Sequence, residues 1–111
     1  MTNTNEQQIF LALGDPTRRE LLQSLAQEGG QTATELAANR PISRQGISKH
    51  LGILAEAGLV NVTKEGRDRR YHFVPGPLNI TVDWVSAITR QWDQRLNALG
   101  RFLDETADTV D

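Results

Sequence analysis

Few side chains in this 111-residue chain are of a type that performs covalent chemistry. It contains no cysteine and two histidines, His50 and His72. Without thiols there is no thiolate nucleophile, no cysteine metal ligand and no disulfide. Ser48 lies near His50 in sequence, but no carboxylate is placed to complete a nucleophilic set. The chain is therefore expected not to be an enzyme and to carry no cofactor. What remains is binding chemistry from amides, hydroxyls and cations: Ser43, Arg44, Gln45, Ser48 and Lys49, then Lys64, Arg67, Arg69 and Arg70. Gln45 can pair with adenine in a DNA major groove, and Arg44 or Lys49 with guanine or with phosphate. Ser43 and the helix N-terminus that it begins offer donors to a phosphate.

The charge pattern agrees with an anionic partner. The net charge is −2, but it is unevenly spread. Residues 1–39 carry two basic and five acidic side chains, giving −3. Residues 40–72 carry seven against three, giving +4, and residues 73–111 carry three against six, giving −3. A basic middle third is the footprint expected of a nucleic-acid face, although a solvated surface has the same composition. Nothing resembling a signal peptide opens the chain, and no apolar run approaches the ~20 residues of a membrane span. A cytoplasmic location, away from membranes, is the expectation.

Four helical segments and a hairpin must position these residues. Ile9, Phe10 and Leu13 share one side of an opening helix within residues 1–14. Asp15 is the expected N-cap of the next helix, with Pro16 in its first position and Gly29-Gly30 at its end. Thr32 to Glu35 forms a capping box, and Pro41 keeps the helix that it starts short. Ser43 caps ISRQGISKHLGILAEAGLV, in which Ile47, Leu51 and Leu54 face a core, with Ile42 as a hydrophobic staple on Ile47. Gly58 ends this helix in a left-handed turn that returns Leu59 to the core. From Arg44 to Ala55 this helix has no acidic residue, as an approach to phosphates requires. Gly46 and Gly52 each cost about 1 kcal/mol of helix propensity, which close approach to DNA or to a packed neighbour would explain. VNVTKEGRDRRYHFV then alternates on both sides of Glu65-Gly66-Arg67-Asp68, the pattern of a hairpin. A helix-turn-helix (32–58, with a four-residue turn) followed by a basic hairpin (59–74) is a winged helix.

The fold class is thus mainly α (α+β), with a two-stranded wing, in a single domain spanning 1–111. A long last helix (78–109) carries Ile80, Trp84, Ile88, Trp92, Leu96, Leu99 and Leu103 at spacings of three and four, widened by Val85 and Phe102. A stripe of that length with two tryptophans suits a homodimer interface.

ALGDPTRRELLQSLA, ISRQGISKHLGILAEAGLV and KEGRDRRYHF together resemble the ArsR/SmtB family of bacterial transcriptional regulators. The resemblance runs from about Phe10 to the last helix. It implies a dimeric repressor on a palindromic double-stranded operator, with the helix of Ser48, Lys49 and His50 in the major groove. It also implies dimerisation through the first and last helices, adding Ile9 and Phe10 to the interface. Many relatives have Ser-Gln where this chain has Ser43-Arg44 with Gln45 following, so the operator sequence does not carry over. Relatives that sense metals use cysteines in the first helix of the helix-turn-helix, or histidine and carboxylate clusters in the last helix. This chain has ATELAAN in the first place and no histidine in the second, so no metal site is expected.

Several residues have two readings. His50 either packs with a local hydrogen bond or contacts a backbone phosphate. His72 and Tyr71 are expected to serve the wing strand, Tyr71 having a phosphate hydrogen bond as its alternative. Arg18 and Arg19 stabilise their helix or reach flanking DNA. Arg67, at the hairpin tip, reaches a groove or pairs with Asp68 or Glu65. The alternative function is a protein-interaction module whose basic face binds an acidic partner.

Overall fold

The computed structural model describes residues 4–108. The ends of the expected first and last helices, residues 1–3 and 109, lie outside the described residues. The elements are α1 (Thr4–Leu13), α2 (Pro16–Glu28), β1 (Gln31–Thr32), α3 (Ala33–Ala37), α4 (Arg44–Glu56), β2 (Val60–Glu65), β3 (Asp68–Phe73) and α5 (Leu78–Asp108). They divide into two units, Met1–Ile80 and Thr81–Asp111.

In the first unit, the caps set the helix starts. Asp15 Oδ1 accepts from the Thr17 and Arg18 N–H groups at 2.8 and 3.3 Å. Thr32 and Glu35 form the reciprocal capping box at 3.1 and 2.9 Å, and Ser43 Oγ accepts from Gly46 N–H at 3.0 Å. These bonds satisfy N–H groups that a helix start leaves without partners. α4 ends in a Schellman arrangement: Leu59 N–H donates to Leu54 and Gly58 N–H to Ala55, each at 3.0 Å. The motif requires the left-handed backbone that Gly58 supplies at φ 78°.

The core is formed by Ile9 and Ala12 of α1, Leu21, Leu22 and Leu25 of α2, Leu36 of α3, and Ile47, Leu51 and Leu54 of α4. Leu59, Val60 and Tyr71 close it from the sheet side, and no charged or polar side chain is buried among the described residues. Truncating a fully enclosed residue such as Leu51 to alanine is worth about 2–5 kcal/mol. Leu78 and Ile80, at the start of α5, pack against this core with partial burial.

The sheet has one more strand than expected. β1 pairs with β3 as β2 does, in the antiparallel order β1-β3-β2. β1 is two residues long, Gln31 opposite Tyr71 and Thr32 opposite Arg70, and shares Thr32 with the capping box of α3. A strand that short leaves no alternation to read. The β2–β3 turn has Glu65 opposite Asp68, with Gly66 at φ 63° and no positive φ at Arg67. This is the type II′ pattern, which matches the twist of the strands.

The α3–α4 connection also differs from expectation. It covers residues 38–43 rather than four residues, because α3 stops at Ala37. Ala38 N–H donates to Glu35 and Arg40 N–H to Ala37, tightening the last turn before Pro41. Arg40 Nε then caps the Leu36 carbonyl at 2.8 Å.

The second unit is the body of α5. At about 1.5 Å per residue the 31-residue helix is about 46 Å long. Its large apolar residues from Val82 to Leu103 are 45% to 62% exposed. No helix among the described residues is long and apolar enough to cross a membrane.

Candidate nucleic-acid interface

The helix-turn-helix and the wing are brought together by the sheet. β3 is the central strand, so successive residues on it face opposite ways. Tyr71 lies opposite Val62 and Arg69 opposite Lys64, which places Arg69 and Tyr71 on one face of the wing. Arg70 takes the other face.

On the Tyr71 face, Arg44 and Ser48 of α4 meet Arg67 and Arg69 of the wing around a polar cleft of about 260 Å³. Thr34 of α3 and Asp68 also line it. Arg44, Arg67 and Arg69 make no ion pair among the described residues. Arg67 therefore lacks the pairing with Asp68 or Glu65 considered above; Glu65 instead binds Arg70. Lys64 and Arg69 lie directly opposite each other. Like charges at such positions repel across a ladder, and an anion over them would relieve this. Ser43, Arg44, Gln45 and Lys49 are all exposed at the head of α4, while Ser48 is half-buried.

Two residues expected at DNA also have partners within the chain. Arg70 Nη1 donates to Glu35 at 3.1 Å and to the Gly30 carbonyl at 3.0 Å, and its Nε donates to Glu65 at 3.0 Å. Hydrogen bonding to Glu65 raises its pKa further, against a smaller effect of desolvation. Its guanidinium thereby joins the wing to α3. His50 Nδ1 lies 3.3 Å from Arg18 Nη1.

That contact belongs to a second cluster, which the sequence showed only as DPTRR. Arg18 donates from Nε to Ala12 O at 2.9 Å and from Nη2 to Leu11 O at 3.0 Å. Arg19 donates to Leu13 O at 2.7 Å. The two guanidinium groups thus cap the last carbonyls of α1, where a positive charge also complements the helix dipole. Desolvation pushes the Asp15 carboxyl upward, but the Arg18 and Thr17 N–H donors and the charges of Arg18 and His50 leave its pKa below the ordinary value.

The two glycines of α4 separate. A β-carbon on Gly46 would lie 2.8 Å from Ile42 Cγ2, so a packed neighbour requires that glycine. At Gly52 nothing lies within 4 Å, and no intramolecular contact accounts for it.

The expected interface residues also divide. Ile9 is completely enclosed in the core of the first unit, and Phe10 is half-buried. Ile80 is half-buried against the same core. Trp84, Ile88, Trp92, Leu96, Leu99 and Leu103 are exposed on α5.

A capped helix-turn-helix whose second helix and basic hairpin border one cleft defines a winged helix-turn-helix, a class of DNA-binding protein. A family model described as a helix-turn-helix domain matches residues 13–63. The chain is 39% identical over 90 residues to the HTH-type transcriptional regulator YuzN of Bacillus subtilis, covering 75% of this chain and 98% of that one. It is 32% identical over 88 residues to the transcriptional repressor SdpR of the same organism, covering 79% and 97%. A solved ArsR-like transcriptional regulator from Rhodococcus sp. RHA1 superposes with a TM-score of 0.78 at 39% identity, covering 91% of this chain and 92% of that one. The chain belongs to the ArsR family of transcriptional regulators, which are DNA-binding proteins and not enzymes.

Proposed function

We propose that the protein is a homodimeric, cytoplasmic repressor that binds a palindromic operator and does not respond to metals. The observation that carries the DNA contacts is the set of cations without an ion pair among the described residues, Arg44, Arg67 and Arg69, around the cleft between α4 and the wing. Gln45 and Ser48 read base edges from the first turns of α4, and Ser43, Lys49, Lys64, Arg67 and Arg69 hold the backbone. Arg44 serves phosphate or guanine. The similarity to SdpR, itself described as a repressor, supports the direction of regulation.

The exposed stripe of α5 supports the dimer, which would present two reading heads to two half-sites. For the signal, the absence of cysteine from the chain and of histidine from α5 supports indifference to metals. No group of three or more histidine, aspartate or glutamate side chains among the described residues could hold an ion. A duplex titration at several salt concentrations, with chelator and with zinc, tests the reading. Operator binding should fall steeply with salt, exceed random-duplex binding by about 10³-fold or more, and ignore zinc. Equal affinity for all sequences together with tight binding to an acidic polypeptide would favour a protein-interaction module instead. A tenfold response to stoichiometric zinc would refute metal indifference.

A further inference from the structure

Tyr71 is only 8% exposed, yet its hydroxyl has no hydrogen-bond partner among the described residues. Nor is that hydroxyl sealed: Thr81 Oγ1 alone among described side-chain polar atoms is both buried and unpartnered. A tyrosine buried to this extent ordinarily directs its O–H to an acceptor. The open space that Tyr71 lines is the polar cleft, which it shares with Thr34, Arg44, Ser48, Arg67 and Arg69. Three arginines line it with one acidic residue, Asp68, so basic residues are in excess. An anion rich in acceptor oxygens would match such a cleft.

We propose that this cleft seats one backbone phosphate of the DNA, with Tyr71 Oη donating to a non-bridging oxygen and the arginines balancing its charge. The proposal rests on the DNA-binding reading and adds a member that no exposed-residue criterion selects. A phosphate fits better than a base edge, because the surplus of donors does not offer the mixed donor and acceptor pattern by which bases are told apart. The elements that converge on the seat explain its consequence. Tyr71 is anchored in the core and on the central strand, whereas Arg67 stands on a hairpin tip. The phosphate held by Tyr71 therefore fixes the register of the wing against the duplex, and the tip adds charge.

The test is Tyr71→Phe in the full chain, which keeps the ring in the core. Arg69→Gln, at an exposed position, is the second variant should Tyr71→Phe not fold. With an unchanged thermal midpoint, Tyr71→Phe should weaken operator and random duplex alike by about tenfold. Duplexes carrying a neutral methylphosphonate at single backbone positions locate the contact. The wild type should lose affinity at one position per half-site where the variants lose none. Inorganic pyrophosphate provides the control for a free phosphoanion. If it binds the wild type but not Tyr71→Phe, while the methylphosphonate pattern is identical for both, the cleft serves a free anion and the DNA seat is overturned. If Tyr71→Phe matches the wild type on every duplex, the seat is overturned while the DNA-binding reading stands. A wild type that binds no duplex removes that reading, and the seat with it.

Discussion

Arg67, Arg69 and Arg70 are neighbours in sequence with different fates. Arg70 is captured by Glu35 and Glu65, one on α3 and the other on the opposite strand of the wing. Arg67 and Arg69 have no such partner among the described residues. Arg70→Met should therefore lower the thermal midpoint by a few degrees and leave operator affinity within about twofold of the wild type. A large loss of affinity with unchanged stability would place Arg70 among the DNA contacts. Gln45→Ala should relax base preference at one position in each half-site, at about 1–3 kcal/mol. Arg67→Ala should weaken all duplexes by similar factors and reduce the salt slope by about one unit. Binding-site selection with both variants checks this division, and a wing variant that alters base preference would reverse it. The sequence made the composition of this face legible but not its partners. Strand alternation already set Arg69 and Arg70 on opposite faces, whereas the capture of Arg70 depended on Glu35, 35 positions away in the chain.

At the scale of elements, the signals that could be read were local ones. Asp15, Thr32, Ser43 and Gly58 act within a few residues of themselves, and each forms the cap expected of it. β1 and the Arg18–His50 contact were not legible, since both depend on packing between segments about 30 or more positions apart. The caps also have a pH signature. Glu35 has its pKa lowered from 4.5 chiefly by the Thr32 N–H, which outweighs desolvation, with Arg70 adding to the effect. Asp15 is likewise lowered from 3.8: desolvation pushes it up, but the N–H donors and the charges of Arg18 and His50 together outweigh that. Both carboxyls bind protons more weakly folded than unfolded, so their contribution is complete above those ordinary values. It is lost as the pH falls from about those values through the lower folded-state pKa values. Urea midpoints measured from pH 7 downward should be flat to about pH 5 in this respect and then decline. Asp15→Asn with Glu35→Gln should flatten the acid limb; an unchanged limb would mean that other groups dominate it.

For the whole molecule, the apolar residues of α5 set the question of assembly. A helix with Trp84, Ile88 and Trp92 at one-turn spacing and about half exposed presents an apolar patch of a kind that marks interaction sites. Sedimentation at micromolar concentration should give a species of twice 12.4 kDa. Ile88→Glu should shift it toward the monomer and weaken operator binding more than it weakens the fold. A wild-type monomer that still binds a palindrome tightly would exclude this interface.

Among the described residues, every fully enclosed side chain of the core lies between Ile9 and Leu59, and the last buried residue is Tyr71. A chain is synthesised from its N-terminus, and domains fold as units in that order. The winged unit therefore has all its buried residues in hand before most of α5 has been made. The stripe of α5 emerges after a core already able to close, so its apolar face does not compete for the interior during synthesis. The order of synthesis thereby separates the closing of the winged unit's core from the appearance of the exposed stripe.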